Sequence, residues 1–186
     1  MNGKRSTAVL ASMAILLPAL HSTAPAQEPA AQEIEHGKAP SKDVEATIET
    51  FAEKDSRVTD LIETSAGYAV FPSVGKAAFL VGGSHGSGEL VIDGVAVGKT
   101  EVSELSVGLQ AGGQAFAEII FFETDADVQT FQSGKLQFSS GFSAVAVGGA
   151  TNKPAYREGV IVFTYTKGGL MAEMSVGGQK FKYTAY

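Results

Sequence analysis

The sequence has no cysteine and no tryptophan, and only three histidines and six prolines in 186 residues. Without cysteine there is no disulfide framework, no thiolate metal site, no cysteine nucleophile and no lipid-modified N-terminal cysteine. Charge is also scarce. Only 18% of residues are charged, which favours a fold with little solvated helix, while 44% hydrophobic residues exclude a wholly disordered chain. Fourteen basic residues stand against twenty acidic ones, a formal charge of −6 that argues against a general nucleic-acid binder. Whether it also argues against an anionic membrane depends on where the charges lie. Glycine is the residue in excess. Its 22 copies follow no Gly-X-Y period, so collagen is excluded, and the length suits one domain with a single core.

The first residues have the pattern of an export signal. Lys4 and Arg5 give a basic start, Ala8 to Leu20 is apolar or small apart from Ser12 and Pro18, and Ala24-Pro25-Ala26 offers a small-x-small cleavage site. The apolar run is about thirteen residues, short of the ~20 that span a bilayer as a helix. The reading is a signal peptide at 1–26, a mature chain from Gln27 with charge −8, and a periplasmic or secreted location. An uncleaved anchor and an N-terminal core helix are the alternatives. Residues 27–40, rich in Ala, Gln, Glu and Pro, read as a flexible tether.

From Ser41 the pattern becomes helical. Val44, Ile48 and Phe51 recur at helical spacing among Lys42, Asp43, Glu45, Glu49 and Glu53, and Val58, Leu61 and Ile62 repeat it up to about Ser65. A membrane-lying helix prefers Lys and Arg on its polar face; here that face is acidic, which favours packing onto the domain. Beyond Tyr68 short runs of Val, Phe, Ile, Leu and Ala alternate with glycines, as strands joined by tight turns do. The expected strands are Tyr68–Phe71, Ala77–Val81, Glu89–Ile92, Val95–Val97 running on towards Val102, Leu105–Leu109, Ala115–Phe122, Phe138–Val147, Val160–Thr166, Leu170–Val176 and Phe181–Tyr186. One helix interrupts them, capped by Thr124 with Asp127 and ended near Gly134. Strands so close together leave no room for parallel crossovers. The expected architecture is α+β: a mainly antiparallel, strongly curved sheet or partial barrel, two N-terminal helices and one inserted helix.

Catalytic and metal motifs do not complete themselves. His21 falls in the signal and His36 in the tether, so the domain keeps only His85, too few for a histidine-built metal site. Gly82-Gly83-Ser84-His85-Gly86 matches G-x-S-x-G by letter, but no helix pattern follows and no histidine lies downstream. Gly94 to Thr100 approaches a phosphate-binding loop, with three residues between its glycines where four are needed. No cofactor is implied. The glycine-lined stretch Gly82 to Gly88 leaves two readings: an anion-binding nest of backbone amides, with Gly82, Gly83, Ser84, His85 and Gly86 as its candidates, or a structural bulge or turn.

Ala69-Val70-Phe71-Pro72-Ser73-Val74-Gly75-Lys76 followed by Gly82-Gly83-Ser84-His85-Gly86-Ser87-Gly88 closely resembles the opening of SYLF domains. Ser106 to Gln114 is similar to that family's central glycine-rich strand, and Tyr165-Thr166-Lys167-Gly168-Gly169-Leu170 resembles its Tyr-Ser-x-x-Lys-Gly-Leu element in shortened form. The resemblance covers roughly residues 45–186. It implies a non-enzymatic lipid-binding domain; eukaryotic members bind phosphoinositides at membranes, some with actin. Anionic phospholipid is the partner carried over, since actin is implausible for a secreted chain. The family pattern places no lipid-contacting residue.

The charge map supplies physical candidates. Residues 41–134 hold five bases and fifteen acids, whereas 135–186 hold six bases and two acids, a net +4. The six are Lys135, Lys153, Arg157, Lys167, Lys180 and Lys182. Gathered on one surface, they would attract anionic headgroups at about 1 kcal/mol each. Strand-end lysines also guard sheet edges against aggregation, and both roles stand.

Overall fold

The computed structural model describes residues 37–76, 83–105, 115–139, 141–149, 154–166 and 173–186. The expected signal peptide, residues 27–36 of the tether, the expected strand at 77–81, most of the one at 105–109 and the start of the one at 170–176 lie outside them. The described elements run α1 (Lys42–Lys54), α2 (Ser56–Thr64), β1 (Gly67–Lys76), β2 (Gly83–Ile92), β3 (Val95–Leu105), β4 (Phe116–Phe122), α3 (Asp125–Gln132), β5 (Ser143–Ala146), β6 (Val160–Thr166), β7 (Glu173–Ser175) and β8 (Gln179–Ala185).

Helix α1 forms because Val44, Thr47 and Phe51 share one face and are buried by it. It stops at Asp55, whose extended backbone begins the next helix and whose side chain caps the Arg57 N–H. Val58 and Leu61 then bury the inner face of α2. The two helices cover one face of the sheet, packing Phe51 and Val58 with Tyr68, Ile119, Phe121 and Phe163. Each fully buried phenylalanine there contributes about 2–3 kcal/mol. The opposite face of the same strands carries Phe71, Phe116, Ile120 and Phe122, covered by Val128 and Phe131 of α3 and by Leu136, Phe138 and Phe142. Strand β4 is therefore apolar on both sides, with buried Glu118 as its exception, hydrogen-bonded by the Gln179 amide at 2.9 Å. Helix α3 begins in a full capping box between Thr124 and Asp127, the pair legible in the sequence.

The strand order is β7-β5-β6-β4-β1-β2-β3-β8. The fold is α+β with a mostly antiparallel sheet, but the sheet is open. A strongly curved sheet or partial barrel is not what forms; β7 and β8 remain as its edges. Parallel pairing, excluded on spacing, also occurs once, Val145 with Phe163 and Ala146 with Thr164. The chain between Ala146 and Val160 supplies the dozen or so residues that a parallel return needs. The apolar run Phe138–Val147 is strand only from Ser143, since Phe138 and Phe142 precede it as ring-stacked core residues with centroids 4.6 Å apart.

β2 and β3 are joined through Asp93 and Gly94, at φ 50° and 78°, a two-residue turn whose twist matches its strands. Strand β1 shifts register between Val70 and Ser73, where Pro72 supplies no amide hydrogen. Opposite this irregularity, a Cβ on Gly88 would lie 1.9 Å from the Val70 carbonyl oxygen. Only glycine lets the two backbones come this close.

The last residues of the expected tether belong to the folded body. The Lys38 N–H donates to the Ala96 carbonyl at 3.0 Å, and the Ala96 N–H returns a bond to Lys38 at 2.9 Å.

Candidate anion-binding surface

Alternation along β8 separates its residues cleanly. Gln179 and Phe181 turn inward and are buried, while Lys180 and Lys182 are exposed. The neighbouring strand continues the pattern: Ser103 stands opposite Lys180, Glu101 opposite Lys182 and Lys99 opposite Thr184, all exposed. One strand further, His85 is opposite Ser103 and Ser87 opposite Glu101, both exposed. Helices α1 and α2 cover the β1, β4 and β6 part of this sheet face. Around β3 and β8 the face is polar.

Lys182 and Glu101 approach to 4.0 Å, with side chains 73% and 51% exposed, so their attraction is worth little. Lys135, exposed at the end of α3, lies two residues from Gln137, which bridges to Lys180 through the backbone. Three of the six expected cations, Lys135, Lys180 and Lys182, are thus brought to the β8 edge. Arg157 is not. It sits in the tight turn that precedes β6, its guanidinium 5.3 Å from the Phe142 ring. Lys153 and Lys167 lie outside the described residues. Lys99 joins the surface unexpectedly, because it belongs to the acidic half of the chain and only strand pairing reveals its neighbours. Its outward parity in the Val95–Val102 run was the available signal.

The expected nest is corrected. Gly83, Ser84, His85 and Gly86 form part of β2 and pair with β1 or β3, so their backbone is extended and serves the sheet ladder. A nest needs successive amides turned to one side, which an extended strand does not provide. Gly82 lies outside the described residues. Ser84 and His85, being consecutive in a strand, face opposite sides: Ser84 is buried and His85 exposed. They cannot work together as nucleophile and base. Among the described residues, no group of three His, Asp or Glu side chains could hold a metal ion.

A second polar cluster lies along β2. Glu89, with only 8% of its side chain exposed, accepts the Ser41 N–H at 2.8 Å and the Tyr186 hydroxyl, and lies 3.6 Å from the Lys38 ammonium. Burial pushes this carboxyl up, but the Ser41 amide, the Tyr186 hydroxyl and Lys38 outweigh it and hold it below the usual carboxylate range. Lys38 also stacks on the Tyr186 ring at 3.9 Å. Glu89 is also the cross-strand partner of Lys99, so this carboxylate borders the basic surface while it ties Ser41, Lys38 and Tyr186 to β2.

No helix among the described residues is long and apolar enough to cross a membrane. No family model matches the chain, and no curated protein is significantly similar to it.

Proposed function

We propose that this chain is a SYLF-type, non-enzymatic domain that binds anionic phospholipid after export, docking peripherally through the exposed side of β3 and β8. The observation that carries this reading is the placement of Lys99, Lys180 and Lys182 on one uncovered sheet face, with Lys135 beside it. A lysine near an anionic surface contributes about 1 kcal/mol, so four give substantial binding without any buried pocket. The acids of α1 and α2 lie over the other part of the sheet. They leave a polarised molecule whose net charge hides a basic edge. The resemblance of Ala69–Gly88 and Tyr165–Leu170 to SYLF motifs supports the same partner class.

Co-sedimentation with phosphatidylglycerol vesicles and with phosphatidylcholine vesicles tests the reading. Pelleting with the former alone, weakened as salt rises, is the expected result. Equal binding to both, or to neither, overturns it. In the latter case the open β8 edge favours a protein-interaction module of the cell envelope.

A further inference from the structure

One row of the exposed face combines three different side chains that recognise phosphate. The register runs Gly75 on β1, His85 on β2, Ser103 on β3 and Lys180 on β8, each the direct cross-strand partner of the next. His85, Ser103 and Lys180 are all exposed, and the sheet period turns them to the same side. With strands about 4.8 Å apart, His85 and Lys180 stand about 10 Å from each other across Ser103. Their side chains are long enough to meet over the serine hydroxyl. A phosphate held there would touch an imidazole, a hydroxyl and an ammonium.

We propose that His85, Ser103 and Lys180 form a phosphate-binding row for the headgroup of an anionic lipid. The proposal rests on the anionic-lipid reading above and adds the side chains that hold the headgroup. An imidazole N–H, a hydroxyl and an ammonium each donate to phosphate oxygens. Around His85, among the described residues, β1 presents Gly75 and Ser73, β2 presents Ser87, β3 presents Ser103 and the diagonal Glu101, and β8 presents Lys180. Glu101 is the one carboxylate in that set, and Lys182 already faces it in the adjacent row. An arriving phosphate therefore meets a row with no acid in it. Gly75 puts no side chain on the β1 side of His85, and the small Ala115 borders it, 3.3 Å from where a Cβ on Gly75 would lie.

A side chain that donates to a phosphate at a surface contributes about 1 kcal/mol, about fivefold in binding. The test is co-sedimentation of the mature chain with phosphatidylglycerol vesicles at pH 7.5 and low salt. His85→Ala, Ser103→Ala and Lys180→Gln should each weaken binding about fivefold with the melting transition in place, whereas His36→Gln should bind as the unsubstituted chain does. Full binding by the folded His85→Ala and Ser103→Ala variants overturns the proposal and leaves the lipid reading standing. Failure of the unsubstituted chain to bind these vesicles overturns both.

Discussion

The Ser41 amide donates to Glu89 Oε2 at 2.8 Å, joining the residue before α1 to the middle of β2 across 48 positions of sequence. The Tyr186 hydroxyl and the Lys38 ammonium approach the other oxygen of the same carboxylate. Glu89 thereby fastens the start of the folded body and the residue after β8 to one strand.

Acid should loosen this fastening. The carboxyl of Glu89 is held below the usual carboxylate range, so its ionised form contributes stability that is fully present above the unfolded-state value. That contribution is lost as pH falls through the lower folded-state value. Protection factors of the Lys38 and Ser41 amides, taken against the intrinsic exchange rate at each pH, should fall below about pH 4 in the unsubstituted protein. In Glu89→Gln they should already be low at pH 7.

Asp55 does three things at once. It caps α2, pairs with Arg57 at 2.6 Å and accepts the Gly148 N–H at 3.2 Å, tying the helices to the segment after β5. Burial raises its carboxyl, but Arg57 and the two backbone amides outweigh that and hold it low. Asp55→Ala should cost about 2–3 kcal/mol in urea unfolding, more than the ~1 kcal/mol of an ordinary cap.

Gly88 and Gly94 should respond differently to alanine. At Gly88 the new Cβ would meet the Val70 carbonyl at 1.9 Å, and the register of β1 and β2 would have to shift. At Gly94 nothing lies within 4 Å, but φ is +78°. Thermal melts should show a loss of about 3 kcal/mol or more at Gly88 and about 1 kcal/mol at Gly94.

The Gln179 amide donates to Glu118 at 2.9 Å, with both residues fully buried. Gln179→Ala should destabilise the fold by about 2 kcal/mol, read from the urea midpoint at constant m value.

Elements that announce themselves locally were legible in the sequence. The Thr124–Asp127 pair opens α3, the apolar run of β6 spans Val160–Thr166 as expected, and Val44, Phe51, Val58 and Leu61 are the buried faces of their helices. Strand β2 was obscured because its first half, Gly83 to Gly88, has no apolar alternation. Its glycines answer to neighbouring strands: a Cβ on Gly86 would press to 2.8 Å from the Val74 side chain. The parallel pairing of β5 with β6 depends on where a distant return places two short strands, and local periodicity carries no trace of that. The basic surface was half legible. Lys180 and Lys182 were visible as cations two residues apart, whereas Lys99, Ser103 and His85 join them only through the β2-β3-β8 register.

The central claim concerns one face of one edge. Its most direct test compares phosphatidylglycerol vesicle binding by the unsubstituted mature chain with that of Lys99→Gln/Lys180→Gln/Lys182→Gln at low salt. At about 1 kcal/mol for each lysine, the triple substitution should weaken binding by about a hundredfold while leaving the melting transition in place. Unchanged binding by the correctly folded triple variant would contradict the account.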